Sequence, residues 1–162
     1  MNVSIDTNSR PTDSTQVRSL YAKLLDRWNQ RDAGEYASLF ADNGNLIGFD
    51  GSQVNGRQEI CAHLSEIFQH HETASYVSIV KEVRHLDAGV WVLRAVAGMV
   101  PPGKPGINPA VNAIQTLVAI KSGNDFRIAV FQNTPAAFHG RPEASEQLTR
   151  ELQDVLQKQK NM

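Results

Sequence analysis

Residues 111–134, VNAIQTLVAIKSGNDFRIAVFQNT, decide the fold of this chain. Two runs rich in Val, Ile and Phe, residues 111–120 and 126–134, flank the polar segment 122–125. β-Branched and aromatic residues favour strands, and a short polar connection joins two strands as antiparallel neighbours. The pattern therefore predicts two adjacent antiparallel strands in the C-terminal half of the chain.

Two earlier runs have the same composition. Residues 76–86 and 90–100 are separated by Asp87-Ala88-Gly89, and the proline-rich loop 101–109 leads on to the hairpin. Short connections between strands favour an antiparallel meander. The loop is long enough to overhang a pocket or to embrace a second subunit, and the sequence leaves both alternatives open.

Helical periodicity dominates the first part of the chain. From Val17 to about residue 30, apolar residues recur at intervals of three and four, as on one face of a helix. Asp32 is placed to cap a second, short helix that buries Tyr36, Leu39 and Phe40 and ends at the turn sequence 42–44.

A third helix follows a short strand at 46–49 and the turn Asp50-Gly51. Asn55 is expected to cap this helix, which carries Ile60, His63, Leu64 and Ile67 on one face. A terminal helix is expected to begin at Pro142 and to bury a stripe of leucines.

This order of elements predicts an α+β domain. We expect a cone-shaped, strongly bent, mainly antiparallel sheet with three N-terminal helices over its concave face, plus a C-terminal helix. Residues 1–13 are interpreted as a disordered tail and residues 14–158 as one domain. The outer face of the sheet is then free to form a homodimer.

Composition excludes several classes of function. The 16 basic residues are interspersed with 17 acidic ones, giving a net charge of −1, so a nucleic-acid partner is not expected. No apolar run approaches the roughly 20 residues of a membrane helix, and no membrane partner is expected. One cysteine excludes an internal disulfide, and no apolar signal core opens the chain, so the protein is expected in the cytoplasm.

Short segments carry a resemblance to a known superfamily. Residues 28–33 (WNQRDA), 39–42 (LFAD), Gly51 and Gly56-Arg57 resemble the opening of the nuclear-transport-factor-2-like superfamily. Within it, residues 97–99 (AGM), 112–117 (NAIQTL), 131–136 (FQNTPA) and 138–143 (FHGRPE) are similar to the SgcJ/EcaC branch of SnoaL-like proteins. The resemblance covers roughly residues 15–157 and implies a cystatin-like fold, and it specifies activity less well than fold.

The resemblance also limits the chemistry. Ketosteroid isomerases of this superfamily use an Asp general base in the first strand and a Tyr on the first helix, and the matched positions here are Gly48 and Leu24. Neither residue moves a proton or donates to an oxyanion, so that mechanism does not transfer. The sequence also has no GxGxxG after a strand, no Cys pair and no metal-ligand spacing, and we therefore expect no cofactor and no metal.

Two residues are candidates for acid/base catalysis. Asp50 lies two residues after Gly48, so on a strand it would point to the same side and act as a base; alternatively it only forms the Asp-Gly turn. His63 lies on the apolar face of the third helix, where it would act as acid/base or as a hydrogen-bonding anchor, or be a structural histidine.

Other side chains are candidates for ligand binding. Arg94 interrupts an apolar strand and would bind an anionic oxygen, unless it faces outward in a salt bridge. Side-chain amides lie within the apolar strands, and burying an amide without a hydrogen-bond partner is costly. A wet pocket or pairing of the amides with each other would explain them. Asn112 and Gln115 must face opposite sides of their strand. Amide and apolar candidates together are Trp28, Tyr36, Phe49, Ile67, Asn112, Gln115 and Gln132.

Two functional hypotheses follow. The first is a homodimeric protein that binds a small hydrophobic molecule, cyclic or polyketide-like, with acid/base catalysis of an isomerase, cyclase or dehydratase type. The second is a non-catalytic dimeric binding or assembly module. A pocket filled by its own side chains would favour the second.

Overall fold

The computed structural model describes residues 12–162, so the expected disordered tail lies almost entirely outside the described residues. The helices are α1 (Asp13–Asn29), α2 (Ala33–Ser38), α3 (Arg57–His70) and α4 (Pro142–Lys160). The strands are β1 (Phe40–Ile47), β2 (Gln53–Asn55), β3 (Ser75–Asp87), β4 (Val90–Val100), β5 (Ala113–Ser122) and β6 (Asp125–Pro135), and a 3-10 turn spans Pro109–Val111.

One six-stranded sheet carries the fold, with strand order β2-β1-β6-β5-β4-β3. Every neighbouring pair is antiparallel except β1 and β6, which run parallel. The meander from β3 to β6 and the α+β class are thus as the sequence predicts. A 3-10 turn ends at Val111 and β5 begins at Ala113, two residues later than expected. Asn108 caps this turn by accepting from the Ala110 backbone N–H at 3.1 Å.

Helices α1 to α3 cover the inner face of the sheet. Thr12 caps α1 through a hydrogen bond from the Thr15 backbone N–H, and Asp32 caps α2 in the same way from Glu35, as expected. Helix α1 presents an apolar stripe to the sheet: Val17, Leu20, Tyr21, Leu24 and Leu25.

The boundary between α2 and β1 differs from the prediction. Phe40 opens β1 and pairs with Ile128, and the turn-like residues 42–44 lie inside the strand, where the register shifts between Phe40 and Asn45. Gly44 is required there, because a Cβ would lie 2.6 Å from the Ile128 carbonyl oxygen. A bulge thus places turn-forming residues within a strand, and the prediction that these residues end the helix was wrong.

The start of α3 also differs. Gly56, with a φ of +87°, is the N-cap residue, and Asn55 ends the short strand β2, which the sequence did not predict. The Asn55 backbone N–H donates to Glu59 Oε2 at 3.1 Å, so a first-turn carboxylate stabilises this helix start in place of an Asn55 cap.

Helix α4 covers part of the outer face, which is therefore not entirely free as expected. Its leucines pack against alternate residues of β3 and β4, chiefly Val77, Val96 and Val100. It also holds the loop 101–109, since Lys160 Nζ donates to the Pro105 carbonyl at 2.7 Å and Gln153 Oε1 accepts from the Ile107 N–H at 3.1 Å. The loop is clasped by the chain's own terminal helix.

A bilayer-spanning helix would need both length and an apolar composition, and no helix within residues 12–162 combines the two.

Candidate functional site

A pocket of about 470 Å³ opens between the inner face of the sheet and helices α1 to α3. A cleft of about 490 Å³ at the first turns of α1 is lined mostly by polar side chains, so the more apolar pocket is the better candidate site. The pocket is lined by Trp28, Tyr36, Leu46, Gly48, Phe49, Asp50, His63, Leu64, Ile67, Tyr76, Met99, Val111, Ala113, Phe131 and Asn133.

An aromatic group forms one wall. Trp28, at the last turn of α1, lies with its ring centroid 5.4 Å from that of Tyr76 and 6.4 Å from that of Tyr36. Its indole Nε1 donates to the Ala74 carbonyl at 2.9 Å, which fixes the ring at the end of the helix. Trp28, Tyr36, Phe49 and Ile67 therefore line the pocket, where the sequence placed them.

A chain of hydrogen bonds runs beneath the pocket. The Tyr21 hydroxyl donates to Gln115 Oε1 at 2.5 Å, and Gln115 Nε2 donates to Asn133 Oδ1 at 3.1 Å. Asn133 Nδ2 donates in turn to the Tyr76 hydroxyl oxygen at 3.2 Å. Gln115 is fully buried behind the pocket wall, and its amide is paired at both ends.

The three tyrosines of the chain belong to this region, and each is held protonated. Burial raises the pKa of Tyr76 to about 12. Burial likewise raises the pKa of Tyr36 and Tyr21 well above the ordinary value of 10.0. At neutral pH these hydroxyl groups are therefore hydrogen-bond donors rather than bases.

The two catalytic candidates both lie on the pocket wall. His63 is half-buried on α3. Asp50 is exposed in the turn after β1, and its carboxylate accepts from the Ser52 backbone N–H at 2.9 Å and from Ser52 Oγ at 3.0 Å. These hydrogen bonds lower the pKa of Asp50 below its usual value, and the bond from the Ser52 backbone N–H has the larger effect. Since β1 ends at Ile47, the expected strand position shared with Gly48 was wrong, and Asp50 forms the turn.

Four of the predicted ligand-binding residues do not line the pocket. Arg94 is exposed on the outer face, with Nη1 3.8 Å from Glu82 Oε1, and Gln132 is exposed on the same face. Asn112 is buried, and its Nδ2 donates to Thr149 Oγ1 of α4 at 2.9 Å. Asn112 and Gln115 do face opposite sides, but Gln115 lies behind the pocket wall, paired with Tyr21 and Asn133.

Sequence reasoning missed the polar residues that border the pocket, Tyr76 and Asn133. Asn133 is a second amide in the same apolar strand as Gln132, so the signal that selected Gln132 applied to it equally. The register shift between Val118 and Ala119 in the β5–β6 pair breaks the regular alternation from which the inward face would be read.

Metal-binding geometry does not occur in the part of the chain that the structure describes, where no three His, Cys, Asp or Glu side chains are grouped to hold an ion. His70 ends α3 and His71 is its C-cap residue.

Comparisons with known proteins identify the fold. No protein-family profile and no curated protein sequence matches the chain. A domain of unknown function with a cystatin-like fold from Nostoc punctiforme is 19% identical, with a TM-score of 0.75, over 95% of this chain and all of that one.

Two further solved structures agree. A nuclear-transport-factor-2-like protein of unknown function from Shewanella oneidensis is 16% identical over 76% of this chain and 99% of its own, with a TM-score of 0.64. A ketosteroid isomerase-like protein from Erwinia carotovora atroseptica is 15% identical over 78% and 98%, with a TM-score of 0.62. The chain thus has a cystatin-like fold.

Proposed function

We propose that this chain is a homodimeric SnoaL-like protein of the SgcJ/EcaC branch that binds a small, hydrophobic, cyclic or polyketide-like compound in the cytoplasm. One observation carries the proposal: the inner face of the sheet leaves a pocket of about 470 Å³ with an aromatic and aliphatic wall. A pocket of this size and composition is typical of small-molecule sites, which bury most of a ligand's apolar surface.

The polar groups on the wall suit acid/base chemistry of an isomerase, cyclase or dehydratase type. His63 is half-buried at the pocket, and histidine is the side chain that most often serves as a general acid or base. Asp50 is committed to Ser52 and its pKa is lowered, so it is ionised and a weak base. We therefore assign proton transfer to His63 and an electrostatic role at the pocket mouth to Asp50.

Native mass spectrometry of protein purified from its own host tests the binding function. We expect a retained small molecule whose mass identifies the compound class, and a thermal shift with related cyclic compounds. Protein that carries no such molecule and shows no thermal shift across a library of cyclic metabolites would contradict the proposal.

Substitution of His63 tests the catalytic part once a substrate is known. We expect His63→Ala to lower kcat by about 10²–10⁴-fold with folding retained, the usual contribution of a general acid or base. His139→Ala is the matched control, because His139 is exposed and lies outside the pocket. Equal rates in the wild-type protein and His63→Ala would exclude the assignment.

The alternative, a non-catalytic dimeric binding or assembly module, is supported by the outer face of the sheet. Beyond α4 this face exposes Ile114, with 41% of its surface accessible, beside Arg94 and Gln132. A dimer through this face would cover Ile114. Sedimentation equilibrium should show a dimer that Ile114→Lys dissociates, and a monomeric wild-type protein would contradict this assembly.

A further inference from the structure

We propose that the Tyr76 hydroxyl is the specificity determinant of the pocket and selects ligands that carry a carbonyl oxygen on an otherwise apolar ring system. This inference rests on the proposed binding function and names the ligand class for the same pocket. It depends on which group donates in each hydrogen bond behind the pocket wall. The buried amides Gln115 and Asn133 fix this direction from Tyr21 on α1 to Tyr76 at the pocket.

The direction is set at Tyr21. Its hydroxyl donates to Gln115 Oε1, so the other end of this amide, Nε2, is a donor and is directed at Asn133 Oδ1. An amide has one accepting and one donating end. Once Asn133 Oδ1 accepts from Gln115, Asn133 therefore presents its Nδ2 donor to Tyr76. Gln115 is fully buried and Asn133 is 8% exposed, so solvent cannot easily replace these partners.

The hydroxyl of Tyr76 then has an O–H donor that is not used in a hydrogen bond among the described residues. Its oxygen accepts from Asn133, and within residues 12–162 the structure gives it no acceptor for its own proton. Tyr76 lines the pocket, and its ring is held beside Trp28. Burial keeps the phenol protonated, so the pocket presents a donor in an apolar wall. A buried donor favours a ligand with an acceptor oxygen over one of the same shape without it.

Fluorenone and fluorene, rigid three-ring compounds that differ in one carbonyl oxygen, probe this selectivity. We expect wild-type protein to bind fluorenone about three- to tenfold more tightly than fluorene, as one hydrogen bond warrants. The carbonyl stretch of bound fluorenone should move to lower frequency in the infrared. In Tyr76→Phe the preference and the infrared shift should both disappear, with fluorene affinity unchanged.

Two further variants separate Tyr76 from its surroundings. Tyr36→Phe removes a phenol from the same wall without touching the hydrogen-bonded chain, and it should keep the infrared shift. Asn133→Asp replaces the donor that faces Tyr76 with an acceptor, so the Tyr76 proton should turn toward Asp, and the shift should be lost although Tyr76 is present. Circular dichroism checks that each variant is folded. If Asn133→Asp does not fold, the result with Tyr76→Phe decides the proposal.

The outcomes distinguish this inference from the proposed function. If fluorene and fluorenone bind wild-type protein equally and the carbonyl stretch is unshifted, the Tyr76 proposal is overturned while the binding function stands. If Tyr36→Phe rather than Tyr76→Phe abolishes the shift, the wrong tyrosine was chosen. If neither compound binds, the binding function fails in this test and the ligand class fails with it.

Discussion

The inner face of the sheet has two halves that use the same strands differently. In the filled half, Leu93, Leu117, Ala119 and Ile128 are completely buried. In the pocket half, Met99, Ala113, Phe131 and Asn133 border an open cavity of about 470 Å³. Along β5 the inward residues are Ala119, Leu117, Gln115 and Ala113, so Gln115 marks the boundary. One strand thus contributes side chains to both the core and the pocket wall.

The helices explain why only one half is filled. The apolar stripe of α1 lies over the filled half and ends with the helix at Asn29. Trp28 closes the stripe, but its indole is tied to the Ala74 carbonyl and does not extend across the sheet. In the pocket half, α3 contributes Leu64, Ile67 and His63 to the wall. The pocket therefore lies at the C-terminal end of α1, where Trp28 is the residue of this helix that lines the wall.

The largest expected difference comes from deleting one apolar side chain in each half. Leu117→Ala should lower the free energy of unfolding by about 2–5 kcal/mol, because Leu117 is completely buried and the change opens a cavity. Met99→Ala should cost about 1 kcal/mol, since Met99 is half-buried and already borders open space. Urea unfolding of both variants measures the difference, and equal losses would contradict the division into two halves.

A second prediction concerns pH and the boundary between the halves. Burial raises the pKa of Tyr76 to about 12, and those of Tyr21 and Tyr36 above the ordinary value of 10.0, so the folded chain keeps protons that the unfolded chain releases. The stabilisation is complete below about pH 10 and should be lost as pH rises toward 12 and beyond. Urea unfolding across this range, with tyrosinate absorbance as a second signal, measures it.

Tyr76→Phe is the control for the alkaline loss. It removes one of the three groups, so unfolding above pH 10 should release about one proton fewer per molecule. The slope of the free energy of unfolding against pH should become correspondingly less steep. An unchanged slope would show that Tyr76 ionises normally in the folded protein and is not sequestered.

The fold could be predicted from the sequence where its signals are local. Composition located β3, β4 and β6 to within about a residue at each end, and the Asp32 cap was predicted from helix chemistry. The Thr12 cap was not, because residues 1–13 were assigned to the tail. The bulge in β1 was not accessible, because residues 42–44 have turn-forming side chains and only pairing with β6 makes them strand.

The candidate site could be predicted only in part. Trp28, Tyr36 and His63 were accessible because helical periodicity fixes which face of a helix is apolar. The inward side of β6 was not, since both faces of this strand carry apolar residues and choosing Asn133 over Gln132 requires the register with β5. The hydrogen bonds of the buried amides join residues that are up to 94 positions apart in the sequence, as between Tyr21 and Gln115, and no local pattern reveals them.

The last prediction adds a side chain instead of deleting one, at two positions of the same strand and face. Ala119→Leu should destabilise the protein by about 1–3 kcal/mol, because Ala119 is completely buried in the filled half and the larger residue forces neighbours apart. Ala113→Leu should change stability by less than about 1 kcal/mol, since the new side chain can extend into the pocket. It should also abolish the fluorenone binding expected of the wild-type protein. A large loss of stability in Ala113→Leu with binding retained would mean that the cavity does not extend to β5. The division of β5 at Gln115 into a core part and a pocket part would then be wrong.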